Sequence, residues 1–116
     1  SGQMKGQYMR ILLTNDDGIQ GEGLRMLAEW IKRRGFGETV IAAPRTEQSA
    51  TSMSINFHRP FRIEKTYLFS DLAAEAYIVD STPADCVRFA LDRLGSFDFV
   101  FSGINLFYRT GSFQNR

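Results

Sequence analysis

Cys86 is the only cysteine and His58 the only histidine in this chain of 116 residues. A single thiol allows no intramolecular disulfide and excludes a zinc centre built on several thiolates. It suits a reducing compartment. His58 is the one side chain whose ordinary pKa lies near neutrality, but it sits beside Arg59-Pro60 in an extended stretch and reads as structural. No apolar run reaches the roughly 18 residues that a membrane-spanning helix needs. The opening SGQMKGQY lacks the apolar core of a signal peptide. Ser1-Gly2-Gln3 ahead of Met4 reads as a leftover of cloning. Neither charge sign dominates, since the formal net charge is +1, so no nucleic-acid duplex is expected as a partner. Lys32-Arg33-Arg34 falls at the end of an expected helix, where cations suit the helix dipole. A cytoplasmic protein without membrane contact is the expectation. The three prolines all punctuate: Pro44 closes an apolar run, Pro60 interrupts an extended one and Pro83 opens a helix.

What is present is an ordinary apolar fraction of 43% with 23% charged residues, enough for one domain with a real core. Residues 9–14 form a short apolar run with an abrupt polar stop, the pattern of a strand buried on both faces. A helix follows to about Arg34, with Leu24, Leu27, Ala28 and Ile31 on one face and Gly35 and Gly37 as terminators. Thr39–Ala43 reads as a second buried strand, completing a βαβ unit. The polar loop 45–54 leaves its carboxyl end. Residues 55–65 look extended and predict a hairpin arm off the main sheet, and residues 66–74 give no clear pattern. Residues 76–79 predict a strand. Thr82 then caps a helix with Pro83 at its first position and Asp85 in place of the capping-box Glu. That helix runs to about Leu94, with Val87, Ala90, Leu91 and Leu94 on one face. Residues 98–101 predict a further strand that ends in Ser102-Gly103-Ile104-Asn105. The remaining LFYRTGSFQNR has no period. The fold class is α/β: a Rossmann-like, mainly parallel sheet flanked by helices. The expected organisation is an N-terminal extension over 1–8, the core over 9–105 and a divergent tail over 106–116. The final core strand is expected to leave an open edge and an uncovered apolar face, which predicts a homo-oligomer.

The chemistry collects where the first strand stops, at Thr14-Asn15-Asp16-Asp17-Gly18. In an α/β sheet the carboxyl ends of strands are where ligands bind. Adjacent carboxylates repel each other, and a hard divalent cation relieves that repulsion. A solvated turn is an equally good local reading of Asn-Asp-Asp-Gly. If the sheet is parallel, the same edge gathers Ser49, Ser102 and Asn105. Carboxylate, hydroxyl and amide oxygens suit Mg²⁺ or Mn²⁺, with Ca²⁺ also compatible. Such a cation favours metal-assisted phosphate hydrolysis. Cys86, near a helix start, reads as a small buried thiol, and Trp30 as core or rim packing.

Thr14-Asn15-Asp16-Asp17-Gly18-Ile19 with Gly23-Leu24 resembles the opening motif of the SurE family of stationary-phase survival proteins. The likeness continues through Ala43-Pro44-Arg45-Thr46-Glu47-Gln48-Ser49, His58-Arg59-Pro60, Ser81-Thr82-Pro83-Ala84-Asp85-Cys86-Val87 and Ser102-Gly103-Ile104-Asn105. The resemblance implies a phosphoric monoester hydrolase acting on nucleoside 5′- or 3′-monophosphates. It implies Asp16, Asp17, Ser49 and Asn105 as metal ligands, with Asp16 also catalytic by orienting or deprotonating the attacking water. Asn15 and Ser102 stand on the substrate side, bracing of the loop being the more economical role for Asn15. The chain corresponds to the family's N-terminal portion. Its C-terminus diverges after Asn105, where the family carries residues that hold the substrate phosphate. Two alternatives follow: an inactive fragment of this family acting only by association, or a receiver-like Mg²⁺-binding signalling domain. The latter needs an Asp at the end of the strand that here ends in Ser102.

Overall fold

The run Met9–Thr14 forms strand β1, whose residues from Ile11 onward are buried, in a computed structural model that describes residues 8–47 and 60–102 and the backbone of 105–109. Helix α1 spans Glu22–Arg34 and buries Leu24, Ala28 and Ile31. It ends at Gly35, whose N–H bonds back to the carbonyls of Ile31 and Lys32, with Lys32, Arg33 and Arg34 in the last turn as expected. Strand β2, Gly37–Pro44, is buried from Thr39 to its end. Strands β3 (Ile63–Lys65) and β4 (Glu75–Val79) follow, then helix α2 (Pro83–Arg93), strand β5 (Phe99–Ser102) and strand β6 (Asn105–Arg109).

All six strands form one sheet in the order β3-β4-β2-β1-β5-β6. The four central strands are parallel, and β3 and β6 pair antiparallel at the two edges. From β1 the chain steps through α1 to β2 on one side. Later it steps from β4 through α2 to β5 on the other side. Right-handed crossovers in opposite directions put the helices on opposite faces, and the core divides accordingly. Ile11, Leu13, Ile41 and Ala43 pack under α1 with Leu24, Ala28 and Ile31. Leu12, Val40, Ala42 and Val100 pack under α2 with Cys86, Val87 and Ala90. Alternation along doubly covered strands is why these runs are apolar throughout.

Two expectations are corrected. Residues 63–65 do not stand off as an arm; they join the main sheet antiparallel to β4, while residues 55–59 lie outside the described ones. The edge beside β5 is also not open. Residues 105–109 return as β6, with Asn105 opposite Ser102 and Arg109 opposite Phe99. Phe107 and Tyr108 favour a pleated strand even without strict alternation. A register slip between Val100 and Phe101 leaves Phe107 as the extra residue of a bulge. Such bulges obscure a period-2 signal in sequence.

Among the described residues the apolar face beside α1 is uncovered. Met9, Ile11, Leu27, Trp30, Phe99 and Phe101 line an apolar groove of about 330 Å³ beside α1. Leu27 and Trp30 therefore belong to the rim: Leu27 is only partly buried, and Trp30 packs edge-on to Phe36 with Arg34 over its ring. On the other helix, Thr82 caps as expected, accepting from the Asp85 N–H at 3.2 Å. The Asp85 carboxylate does not close a capping box. It accepts from the Ser81 hydroxyl and pairs with Arg88.

Candidate metal and phosphate site

Strand β1 has β2 on one side and β5 on the other, so the chain reverses its direction of travel across the sheet at β1. This is the topological switch point, where the loops leaving adjacent strands part and a crevice opens. The loop after β1 carries Asp16 and Asp17, and both are exposed. Among the described residues neither carboxylate has a hydrogen-bond or ion-pair partner. Ser102 ends β5 in register with Thr14, the last residue of β1. Asp16 follows that register position by two residues, so both strand ends face one crevice.

The loop itself is held from within. Asn15 is buried, donating from Nδ2 to the Gly18 carbonyl at 3.0 Å and accepting at Oδ1 from the Gly18 N–H at 3.2 Å. Both ends of its amide are thus engaged in bracing the loop. Gly18 has φ +106°, and a Cβ there would stand 3.1 Å from the backbone of Thr46. A side chain at this position meets both backbone strain and the neighbouring loop. The next residue, Ile19, donates its N–H to the Pro44 carbonyl at 2.7 Å. The loop bearing the two carboxylates therefore rests on the first residues of the loop leaving β2.

Ser49, two residues beyond Glu47 in that second loop, lies outside the described residues, as does His58. The backbone of Asn105 opens β6 opposite Ser102, at the same sheet edge; its side chain lies outside the described residues. The carboxylate pair is accordingly the described part of the candidate ligand set. Among the described residues there is no group of three or more His, Cys, Asp or Glu side chains that could hold a metal. A cation here would be coordinated by the two aspartates together with neutral oxygens. Two exposed, unpaired and adjacent carboxylates fit a hard divalent cation by charge and donor type.

Behind the site, Thr14 is fully buried. It lies close enough to Cys86 to favour the thiolate slightly, but burial dominates and pushes the thiol up to about 12. Cys86 is a neutral packing group at physiological pH, as its sequence context implied.

Arg45 was passed over in the sequence. It is the first residue after β2, and its guanidinium reaches Asp80 and Glu64 at 2.7 Å each. The available signal was an arginine at one strand end with an aspartate at the next, and only the β2–β4 pairing brings them together.

Comparison with known proteins agrees with this architecture. The family model described as Survival protein SurE matches residues 11–113, running past Asn105 into the stretch expected to diverge. Among curated proteins, the 5'-nucleotidase SurE of Thermococcus gammatolerans is 46% identical over 98 residues, covering 84% of this chain and 35% of that one. The 5'-nucleotidase SurE of Clostridium botulinum is 44% identical over 102 residues, covering 84% of this chain and 38% of the relative. The crystal structure of the SurE protein of Aquifex aeolicus superposes with a TM-score of 0.66 at 34% identity, covering 83% of this chain and 37% of that chain. The chain thus spans little more than a third of the length of the proteins it matches.

Proposed function

The chain belongs to the SurE family, and from that premise we propose that it carries the metal-binding part of a nucleotidase for nucleoside 5′- and 3′-monophosphates. The observation that carries the reading is the pair of exposed carboxylates, Asp16 and Asp17, without partners among the described residues, at the switch point of the sheet. Asp16, Asp17, Ser49 and Asn105 are the ligands of a divalent cation, Mg²⁺ or Mn²⁺. When bound, the cation supplies Lewis acidity and offsets the negative charge of the phosphoryl group. Asp16 accepts a proton from, or orients, the attacking water. Ser102 contacts the substrate phosphate from the end of β5. Asn15 holds the turn that carries the two carboxylates through its bonds to Gly18.

The test is phosphate release from AMP, GMP and 3′-AMP with Mg²⁺ or Mn²⁺, paired with calorimetric titration of the metal alone. Metal-dependent release from both 5′- and 3′-monophosphates, abolished by a chelator, is the expected result. Metal binding without release would assign this chain the inactive-fragment alternative. Absence of both would overturn the metal site itself.

Association with a second copy is the accompanying proposal, favoured by the apolar groove beside α1. An exposed apolar patch of this kind marks an interaction surface. Sedimentation velocity is expected to show a concentration-dependent dimer or larger species, which Leu27→Glu converts to monomer. A monomer at every concentration would refute it.

A further inference from the structure

Pro44 and Thr46 form the shelf on which the Asp16–Asp17 loop rests. The Ile19 N–H bonds to the Pro44 carbonyl at 2.7 Å, and Gly18 packs against the Thr46 backbone. Between these two shelf residues stands Arg45. Its Nε donates to Asp80 Oδ1 and its Nη2 to Glu64 Oε1, both at 2.7 Å. Asp80 directly follows β4, and its own N–H bonds to the Arg62 carbonyl. Glu64 is the middle residue of β3. One guanidinium therefore ties the end of β2 to two neighbouring strands. The hydrogen bond to Glu64, then that to Asp80, holds its pKa above the ordinary arginine value.

We infer that Arg45 is a positioning residue for the metal loop: by anchoring the β2 terminus to Asp80 and Glu64 it fixes the Pro44–Thr46 backbone on which Gly18 and Ile19 rest, and so sets where the Asp16–Asp17 loop stands at the carboxyl edge of the sheet. This deepens the metal-site reading above and rests on it for its functional consequence. Arg45 faces Asp80 and Glu64 rather than the metal pair, so it adds no ligand. Only a forked, planar donor spans two carboxylates with well-directed bonds; a lysine ammonium meets them as a point charge on a flexible stem. Exposed ion pairs contribute little to global stability, and Arg45, Asp80 and Glu64 are all partly exposed. The effect of the clamp is accordingly local.

Two measurements on the full chain test this. Amide hydrogen exchange at Ile19 reports the bond to Pro44 without any metal. Arg45→Met is expected to speed exchange at Ile19 about tenfold while Leu12 and Val100 in the sheet centre keep their protection, the pattern of a local opening. Mn²⁺ affinity, read by the electron paramagnetic resonance of the free ion, is expected to fall about tenfold in Arg45→Met, in the range that residues supporting metal ligands command. Arg45→Lys should recover part of the loss. Asp80→Asn with Glu64→Gln should reproduce it, and adding Arg45→Met to that pair should lower affinity no further. Unchanged Ile19 exchange in Arg45→Met overturns the clamp whatever the metal does. Faster Ile19 exchange with unchanged Mn²⁺ affinity overturns its role in positioning the carboxylates. Failure of the unaltered chain to bind Mn²⁺ overturns the metal-site reading, and the exchange result then still decides whether the clamp exists.

Discussion

Gly37→Ala is expected to be strongly destabilising, lowering Tm by about 10 °C or more. Gly37 opens β2 opposite Met9, the first residue of β1. A Cβ at Gly37 would stand 2.0 Å from the Met9 carbonyl oxygen, 2.5 Å from its nitrogen and 2.7 Å from its carbonyl carbon. All three are backbone atoms, so no side-chain rotation relieves the collision. Met9 must leave the strand pair, losing the bond from its N–H to the Phe36 carbonyl at 3.1 Å. It also withdraws from the apolar groove that it lines with Phe99. Backbone incompatibility of this kind costs about 2–4 kcal/mol, a large part of the roughly 5–15 kcal/mol that stabilises a typical domain. At about 4–8 °C per kcal/mol for a domain near this size, Tm should fall by more than about 10 °C. Gly23→Ala is the control. Gly23 lies in the first turn of α1 with nothing within 4 Å of its would-be Cβ. Alanine there should be neutral or stabilising by up to about 1 kcal/mol. Urea midpoints for the two variants check the contrast, and a Gly37→Ala midpoint equal to that of the unaltered chain would show that β1 and β2 do not approach as described.

The contrast between these glycines also marks how far the sequence can be read. Both lie within one βαβ unit, and only Gly37 reads in the sequence as punctuation, with nothing local to reveal that it faces Met9. The unit itself was legible because Ile11–Leu13 of β1 and Val40–Ala43 of β2 are buried on both faces and so apolar without interruption, and because α1 repeats its apolar residues at helical spacing. Helix α2 was legible from Thr82 and Pro83, whose capping roles need no tertiary context. The shared carboxyl edge was implied once the sheet was taken as parallel, whereas the switch point needs the strand order. Asp16, Asp17 and Ser102 stand at that edge because residues that stop an apolar strand must lie at its end. What sequence could not reveal depends on pairing between distant segments. β3 is three residues long and exposed along its length, so it carries no burial signal. β6 is bulged, which breaks its alternation. Arg45 meets Asp80 and Glu64 only because β2, β4 and β3 are neighbours in the sheet. Asn15 makes the two bonds to Gly18 that the bracing reading expects.

Asp16→Asn is expected to separate stability from metal binding in opposite directions. Asp16 and Asp17 are adjacent and exposed, and neither has a described cation beside it. Without metal, the substitution removes one of two repelling charges and no hydrogen bond, so the metal-free protein should melt at the same temperature or slightly above. With metal, it removes one of the two charged ligands. The affinity loss should equal or exceed the roughly 10–100-fold that follows even changes in residues behind the ligands. A ligand present at about a hundred times its Kd stabilises by about 2.7 kcal/mol, which at about 4 °C or more per kcal/mol corresponds to a rise of roughly 10 °C in Tm. The unaltered chain should show that rise on adding Mn²⁺, and Asp16→Asn should lose most of it. Asp17→Asn should behave alike, because the proposed cation site is built on the pair. Asp71→Asn removes an exposed carboxylate that already pairs with Arg25 of α1 and should keep the full rise. A solvated turn at Asn15–Gly18 predicts instead no rise in any of these proteins, and a rise that survives in Asp16→Asn and Asp17→Asn would place the cation elsewhere.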